Sequence, residues 1–208
     1  MSSSEHIVKL RQTYNIIADD FSCTRKDCWK ECIDFIEDIG KKQSVLDLGC
    51  GNGRNLITAM KKSEFCVGLD FSLGFLKIIR GKKGDVPLVA GEFLHLPFSE
   101  GSFDVVLFMA ALHHLPEESQ RLIAIEEMAR VMRSGAVALV SVWAHEQEKY
   151  EDGAQDVDVM WRKKFPRFYH LFKKGELENL VSSVDSLKIV DSFRSGNNYF
   201  VKICKRKV

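Results

Sequence analysis

Val45-Leu-Asp-Leu-Gly-Cys-Gly-Asn-Gly-Arg54 reads as a buried strand running into a glycine-rich turn and then a helix. Glycines at 49, 51 and 53 permit positive φ and let the backbone approach a ligand closely. A dinucleotide fingerprint requires G-x-G-x-x-G. Here the third glycine falls one residue early, and position 54 is Arg. That departure argues against a dinucleotide. It suits a ligand without a pyrophosphate, whose amino-acid end packs against the turn. Alone, the motif keeps a rival reading as a mere tight turn in an α/β domain.

Outward from the turn, strand-like and helix-like runs alternate. The expected strands are Ser44–Leu48, Phe65–Leu69, Pro87–Ala90, Phe103–Met109 and Ala136–Trp143. The expected helices between them are Asn55–Lys62, Leu73–Arg80 and Glu117–Met132. Such alternation implies a parallel sheet with helices on both faces. Upstream, residues 5–18 and 26–39 read as two helices, stopped at Gly40-Lys-Lys-Gln. Downstream, Leu187–Arg194 and Asn198–Lys205 flank Ser195-Gly-Asn197, a tight hairpin turn. The expected fold is α/β: a doubly wound, Rossmann-like sheet, mostly parallel, closed by an antiparallel C-terminal hairpin strand. One domain over residues 1–208 is expected, with an N-terminal helical cap (1–40), a ligand-binding half (41–145) and a substrate-side segment with the hairpin (146–208).

Composition fits one ordinary domain core: 45% of residues are hydrophobic and 28% charged. The longest apolar runs, such as Val105 to Leu112, fall far below the ~20 residues of a membrane span. Met1-Ser-Ser-Ser-Glu-His6 lacks a charged start followed by an apolar stretch, so no secretory leader is expected, and the expected location is cytoplasmic or nuclear. Cys23, Cys28 and Cys32 have no matching His or Cys pair further on, so packing is preferred to a metal site. The net charge of +1 hides an uneven distribution: Trp161 to Lys174 holds six Lys or Arg and no acid, whereas Glu146 to Asp158 is acidic.

Further features follow the turn in order. Asp70 ends the second strand, where a carboxylate can accept hydrogen bonds from both hydroxyls of a ribose. Glu92 follows the third strand in Gly91-Glu-Phe-Leu-His-Leu-Pro-Phe98, and Ser102-Phe-Asp-Val-Val-Leu107 opens the fourth. Over residues 44–143 this order resembles the class I S-adenosylmethionine-dependent methyltransferases. The resemblance implies S-adenosylmethionine as cofactor, held by Tyr14, Asp47, Gly49, Gly51, Asn52, Gly53, Asp70, Phe71, Ser72, Glu92, Phe93 and Ala110. Asp47 would face the charged end of the cofactor, Phe71 the adenine, and Glu92 the adenine edge.

A closer resemblance lies outside that half. Tyr14-Asn-Ile-Ile-Ala-Asp-Asp-Phe-Ser-Cys-Thr-Arg25 with Trp29, His113-His114, Trp143-Ala-His-Glu-Gln147 and Phe168-Tyr-His-Leu-Phe-Lys-Lys-Gly-Glu-Leu177 resemble the eukaryotic tRNA wobble-uridine carboxymethyl methyltransferases. The chain departs from that pattern in lacking both prolines around Trp29 and in carrying Asn197-Asn198-Tyr199 in place of Asp-Asn-Trp. The resemblance implies esterification of the carboxymethyl group of 5-carboxymethyluridine in the tRNA anticodon loop. It also implies a small zinc-binding activator subunit as partner, covering an edge strand. A carboxylate acceptor is ionised at neutral pH and needs no general base, so catalysis means alignment, which suits guanidinium groups. Arg25 and Arg167 are the candidates, with His114 and His170 as hydrogen-bonding helpers. The basic, aromatic stretch Trp161–Lys174 suits an unstacked anticodon loop; its rival is a solvated surface whose aromatics belong to the core. Two alternatives stay open: a small-molecule methyltransferase, and a cofactor-binding subunit without catalysis.

Overall fold

A computed structural model describes residues 3–150 and 153–207. The turn segment's own strand, β1 (Ser44–Leu48), lies in the interior of a seven-stranded sheet, third from one edge. Its parallel neighbours are β2 (Phe65–Asp70) on one side and β4 (Phe103–Met109) on the other. Beyond β2 lies the three-residue edge strand β3 (Leu88–Ala90), and beyond β4 lies β5 (Met132–Trp143), both parallel to their neighbours. The hairpin β8 (Leu187–Ser195) and β9 (Asn198–Lys205) completes the order β3-β2-β1-β4-β5-β9-β8, with β9 antiparallel to β5. The chain therefore reverses its winding between β1 and β4, where an open sheet of this kind forms a crevice at its carboxyl edge.

Alternation along β4 shows how the two faces are filled. Val106 and Phe108 enter one core with Ala124, Ile125 and Met128 of α5 (Glu118–Val131) and Leu177, Leu180 and Val181 of α6 (Glu176–Ser182). Val105, Leu107 and Met109 enter the other, with α2 (Lys30–Glu37), α3 (Arg54–Ala59) and α4 (Leu73–Lys83). Each central strand is buried on both sides, as a parallel sheet requires.

Two regions differ from expectation. The first helix, α1, runs Ser3–Thr24 rather than ending at residue 18, because Leu10, Tyr14, Ile17 and Ala18 share an apolar face that continues to Phe21 and packs on Phe75 of α4. The second helix is shorter than 26–39; Trp29, in extended backbone, precedes its first residue. In the segment 146–208, a second hairpin appears that no sequence expectation specified: β6 (Asp156–Trp161) and β7 (Phe165–His170). Phe172 anchors it, its N–H donating to the Trp143 carbonyl at 2.9 Å. The hairpin and α1 meet through Trp161 and Phe21, whose rings lie 5.4 Å apart. Together they roof the carboxyl edge of the sheet.

Candidate functional site

Under that roof lies a cavity whose floor is the glycine turn. Gly49 and Gly53 both have positive φ, and a Cβ on either would lie 2.7 Å from Ala111 Cβ or 2.8 Å from Ile79 Cγ1 respectively. Their role is close packing of the turn against the sheet and α4. At Gly51, also at positive φ, the space a side chain would occupy is open.

Asp70 ends β2 beneath the turn. Its Oδ2 accepts the Gly51 N–H and its Oδ1 the Ser72 N–H, both at 2.8 Å. Each oxygen keeps a lone pair for a further donor. Burial raises this carboxyl to about 6. Asp47, one strand away, is fully buried, and neither of its oxygens has a hydrogen-bond partner. Burial pushes it to about 8. A carboxyl left so costly to ionise marks a place where positive charge is expected.

At the end of β4 the backbone is strained. Ala110 has φ 51, a left-handed conformation that a residue with a Cβ rarely adopts. Its N–H is drawn back onto Ser141, to the carbonyl and Oγ, both at 3.0 Å. Such strain concentrates at functional sites.

The opposite wall is aromatic and basic. The His114 Nδ1 faces the Phe168 carbonyl at 2.8 Å and its Nε2 faces the Tyr14 hydroxyl at 2.8 Å. A carbonyl only accepts, so the proton sits on Nδ1, and Nε2 accepts from Tyr14. Burial lowers this imidazole to about 3, so it is neutral, with both ring nitrogens engaged. Arg167 is 6% exposed. Its Nη1 donates to the Tyr169 hydroxyl at 3.0 Å, its Nε–H has no partner, and among the described residues no carboxylate is within ion-pair distance. The guanidinium is held instead by the rings of Trp161 and Tyr169, 5.2 and 5.3 Å from its Cζ. Arg25 is exposed at the mouth, its Cζ 5.8 Å from the Trp161 ring, and its carbonyl accepts from Asn52 Nδ2 at 2.6 Å.

The methyltransferase domain family matches residues 46–140. The tRNA (carboxymethyluridine(34)-5-O)-methyltransferase of Schizosaccharomyces pombe is 32% identical over 202 residues, covering 84% of this chain and 86% of that protein. The chain belongs to this tRNA methyltransferase family. A Haloferax volcanii methyltransferase solved in complex with the Trm112 methyltransferase activator shares the fold, with a TM-score of 0.77 at 16% identity over 96% of this chain and 98% of that one. So does the Burkholderia thailandensis 1,6-didemethyltoxoflavin-N1-methyltransferase, solved with S-adenosylhomocysteine, with a TM-score of 0.76 at 20% identity over 100% of this chain and 92% of that one.

The protein is thus an S-adenosylmethionine-dependent methyltransferase, and its residues fit that cofactor. The cavity offers the open space at Gly51, free lone pairs on Asp70 and the half-buried Phe71 ring, and the orphaned Asp47 carboxyl lies outside it, behind the turn. Tyr14, Gly49, Gly51, Asn52, Asp70, Phe71, Glu92, Phe93 and Ala110 all line it, as do Arg25, His114 and Arg167. Glu92 sits at the rim, paired with Arg11 at 3.7 Å. Three residues singled out for the cofactor do not line the cavity. Gly53 packs on Ile79, Ser72 caps α4 by accepting from Phe75 N–H at 3.3 Å, and Asp47 lies behind the turn.

His170 is not brought to the methyltransferase cavity. Its ring lies between Asp156 Oδ1 (2.7 Å) and Glu176 Oε1 (2.6 Å), tying β6 and α6 together. Within Trp161–Lys174 the aromatics divide from the cations. Trp161, Tyr169 and Phe172 are buried, whereas Arg162, Lys163, Lys164, Lys173 and Lys174 are exposed. Phe165 and Phe168 are half-buried, between that core and the exposed cations. Tyr169 and Trp143 line the cavity without having been singled out as site residues.

Proposed function

We propose that this chain esterifies the carboxymethyl group of 5-carboxymethyluridine at the tRNA wobble position. The observation that carries the reading is Arg167: a buried guanidinium at the cavity wall with no carboxylate partner among the described residues. A buried cation is expensive unless paired, so this wall calls for an anionic acceptor. The acceptor carboxylate is ionised at neutral pH. Its oxygen takes the methyl group, the sulfur keeps the bonding pair, and no proton moves. That fits a site whose histidine is neutral and locked. When bound, the cofactor supplies an electrophilic sulfonium methyl. Arg167 orients the acceptor, Arg25 guides it at the mouth, and Tyr14 presents its oxygen to the cavity because its proton is committed to His114. A carboxylate held by guanidinium groups is aligned for attack while water is excluded.

The test is transfer of labelled methyl to tRNA carrying 5-carboxymethyluridine, followed by mild alkali. Label released by alkali supports an ester. Alkali-stable label on base or ribose refutes it.

The activator subunit expected for this family belongs here too. The edge strand β3 leaves one side unpaired, and its Leu88 and Val89 are half-buried. Apolar edges of this kind call for cover, and the Haloferax neighbour was solved with such an activator. Isolated chain should be poorly soluble or bind cofactor weakly; a well-behaved, fully active monomer would contradict this.

A further inference from the structure

A second groove adjoins the cofactor cavity, and Arg54 is a wall of both. Its lining gathers Lys26, Arg54, Lys61, Lys62 and Lys82 from three separate stretches of chain. Against these cations stand only Asp27 and Glu37. Nearby, Lys30 pairs with Asp34 at 2.6 Å and Lys41 with Glu64 at 3.3 Å. Among the described residues Lys26, Lys61 and Lys62 have no ion pair, and Lys82 Nζ reaches only the Asn52 carbonyl, at 3.4 Å. The Arg54 guanidinium lies 5.0 Å from the Trp29 ring and reaches only the Asp27 carbonyl, at 3.5 Å.

Lysines after α3 and in the last turn of α4 have an ordinary use, since cations complement helix C-termini. That use does not cover Lys26, which comes from the loop after α1, or Arg54, which opens α3. Convergence from unrelated elements onto one concave surface is what a polyanion requires. The groove also begins where the mouth ends. The Asn52 side chain holds the Arg25 carbonyl at 2.6 Å, and the Asn52 carbonyl accepts from Lys82.

We propose that this groove is the track for the phosphodiester backbone of the RNA strand that continues from the nucleoside held in the cavity. The inference rests on the reading of the acceptor as a tRNA nucleoside. RNA is favoured over an acidic protein surface because the groove is continuous with the mouth at Arg25, through which a modified nucleoside must enter with its strand attached. Phosphate contacts of this kind position the strand and carry no sequence information.

The test is the double variant Lys61→Glu with Lys62→Glu in the full chain, with activator subunit present. Both residues are exposed and line only the groove. The control is Lys188→Glu with Lys207→Glu, an equal charge change at exposed positions elsewhere. The probe is a synthetic anticodon stem–loop RNA, its binding followed across a salt series. Two lost phosphate contacts should lower the slope of log affinity against log salt by about 1.4, at about 0.7 per single-strand contact. The dissociation constant and the KM for RNA should rise about tenfold or more relative to the control, with kcat and cofactor affinity unchanged. A slope and KM equal to those of the control overturn the track. So would a loss of activator binding with RNA binding intact, which would assign the groove to a protein. The binding arm needs no methyl transfer. An RNA that binds with the expected slope yet yields no alkali-labile product would refute the acceptor assignment and leave the track supported.

Discussion

Replacing Asp47 with Asn should stabilise the fold while weakening the site. In the folded chain burial holds this carboxyl at about 8, against an ordinary value of 3.8. A raised carboxyl binds its proton more tightly folded than unfolded. Stability is therefore greatest below the ordinary value and falls as pH rises toward about 8. The slope between those limits is about 1.4 kcal/mol per pH unit. At pH 7 without cofactor, Asp47 accordingly costs the fold about 4 kcal/mol. An amide at this position never ionises, so the variant escapes this cost. At roughly 2–4 °C per kcal/mol for a chain of this size, Asp47→Asn should melt about 8–16 °C higher at pH 7. The gain should be smallest near pH 4 and level off above about pH 8. Asp70, raised to about 6 by burial, adds its own pH dependence to both proteins, and its charge also helps raise Asp47. The assay is thermal unfolding of both proteins from pH 4 to 9, with and without S-adenosylmethionine. Cofactor should stabilise the wild type more than the variant, because the positive end of the ligand favours an ionised Asp47. A difference in melting temperature that does not change with pH would refute the reasoning.

Asp70→Ala should weaken cofactor binding by about 3 kcal/mol or more, the worth of two hydrogen bonds to a charged acceptor; unchanged affinity in calorimetry removes Asp70 from the site. With wild type, cofactor affinity should fall as pH drops through about 6, where Asp70 becomes protonated and loses accepting capacity; a flat profile contradicts that role. Arg25→Ala should spare cofactor binding and lower turnover on tRNA, since Arg25 is exposed at the mouth; lost folding by circular dichroism would make it structural. His170→Ala should lower stability by about 1–3 kcal/mol in urea by unlinking Asp156 from Glu176, with kcat of the folded enzyme little changed; a large loss of kcat at full folding would place His170 in the reaction.

The glycine turn, Asp70 and the alternation around them were legible because each is local: a strand, a turn that only glycine satisfies, and a carboxylate one strand on. The edge position of β3 and the C-terminal hairpin followed from topology and from Ser195-Gly-Asn197. The hairpin β6–β7 was not legible, although Asp156-Val-Asp-Val159 alternates with the period of a strand. Asp156 and Asp158 are residues that disfavour a strand. Its turn also lacks the usual glycine or asparagine: Arg162 and Lys163 themselves take positive φ, at 47 and 59. Without the hairpin, sequence could not separate Arg167, which faces the cavity, from His170, whose ring is held between β6 and α6. Likewise the unpaired state of Arg167 and Asp47 is a property of packing across distant elements. That state is what ties the wall to an anionic acceptor and the turn to a cationic ligand.

The most direct measurement is the mass of the wobble nucleoside after reaction. Transfer RNA bearing 5-carboxymethyluridine is incubated with the enzyme, its activator and S-adenosylmethionine, then digested to nucleosides. 5-Carboxymethyluridine should be replaced by a nucleoside heavier by one methylene, which mild alkali returns to the starting acid. An unchanged wobble nucleoside, with methyl groups appearing on another base or on ribose, would contradict it.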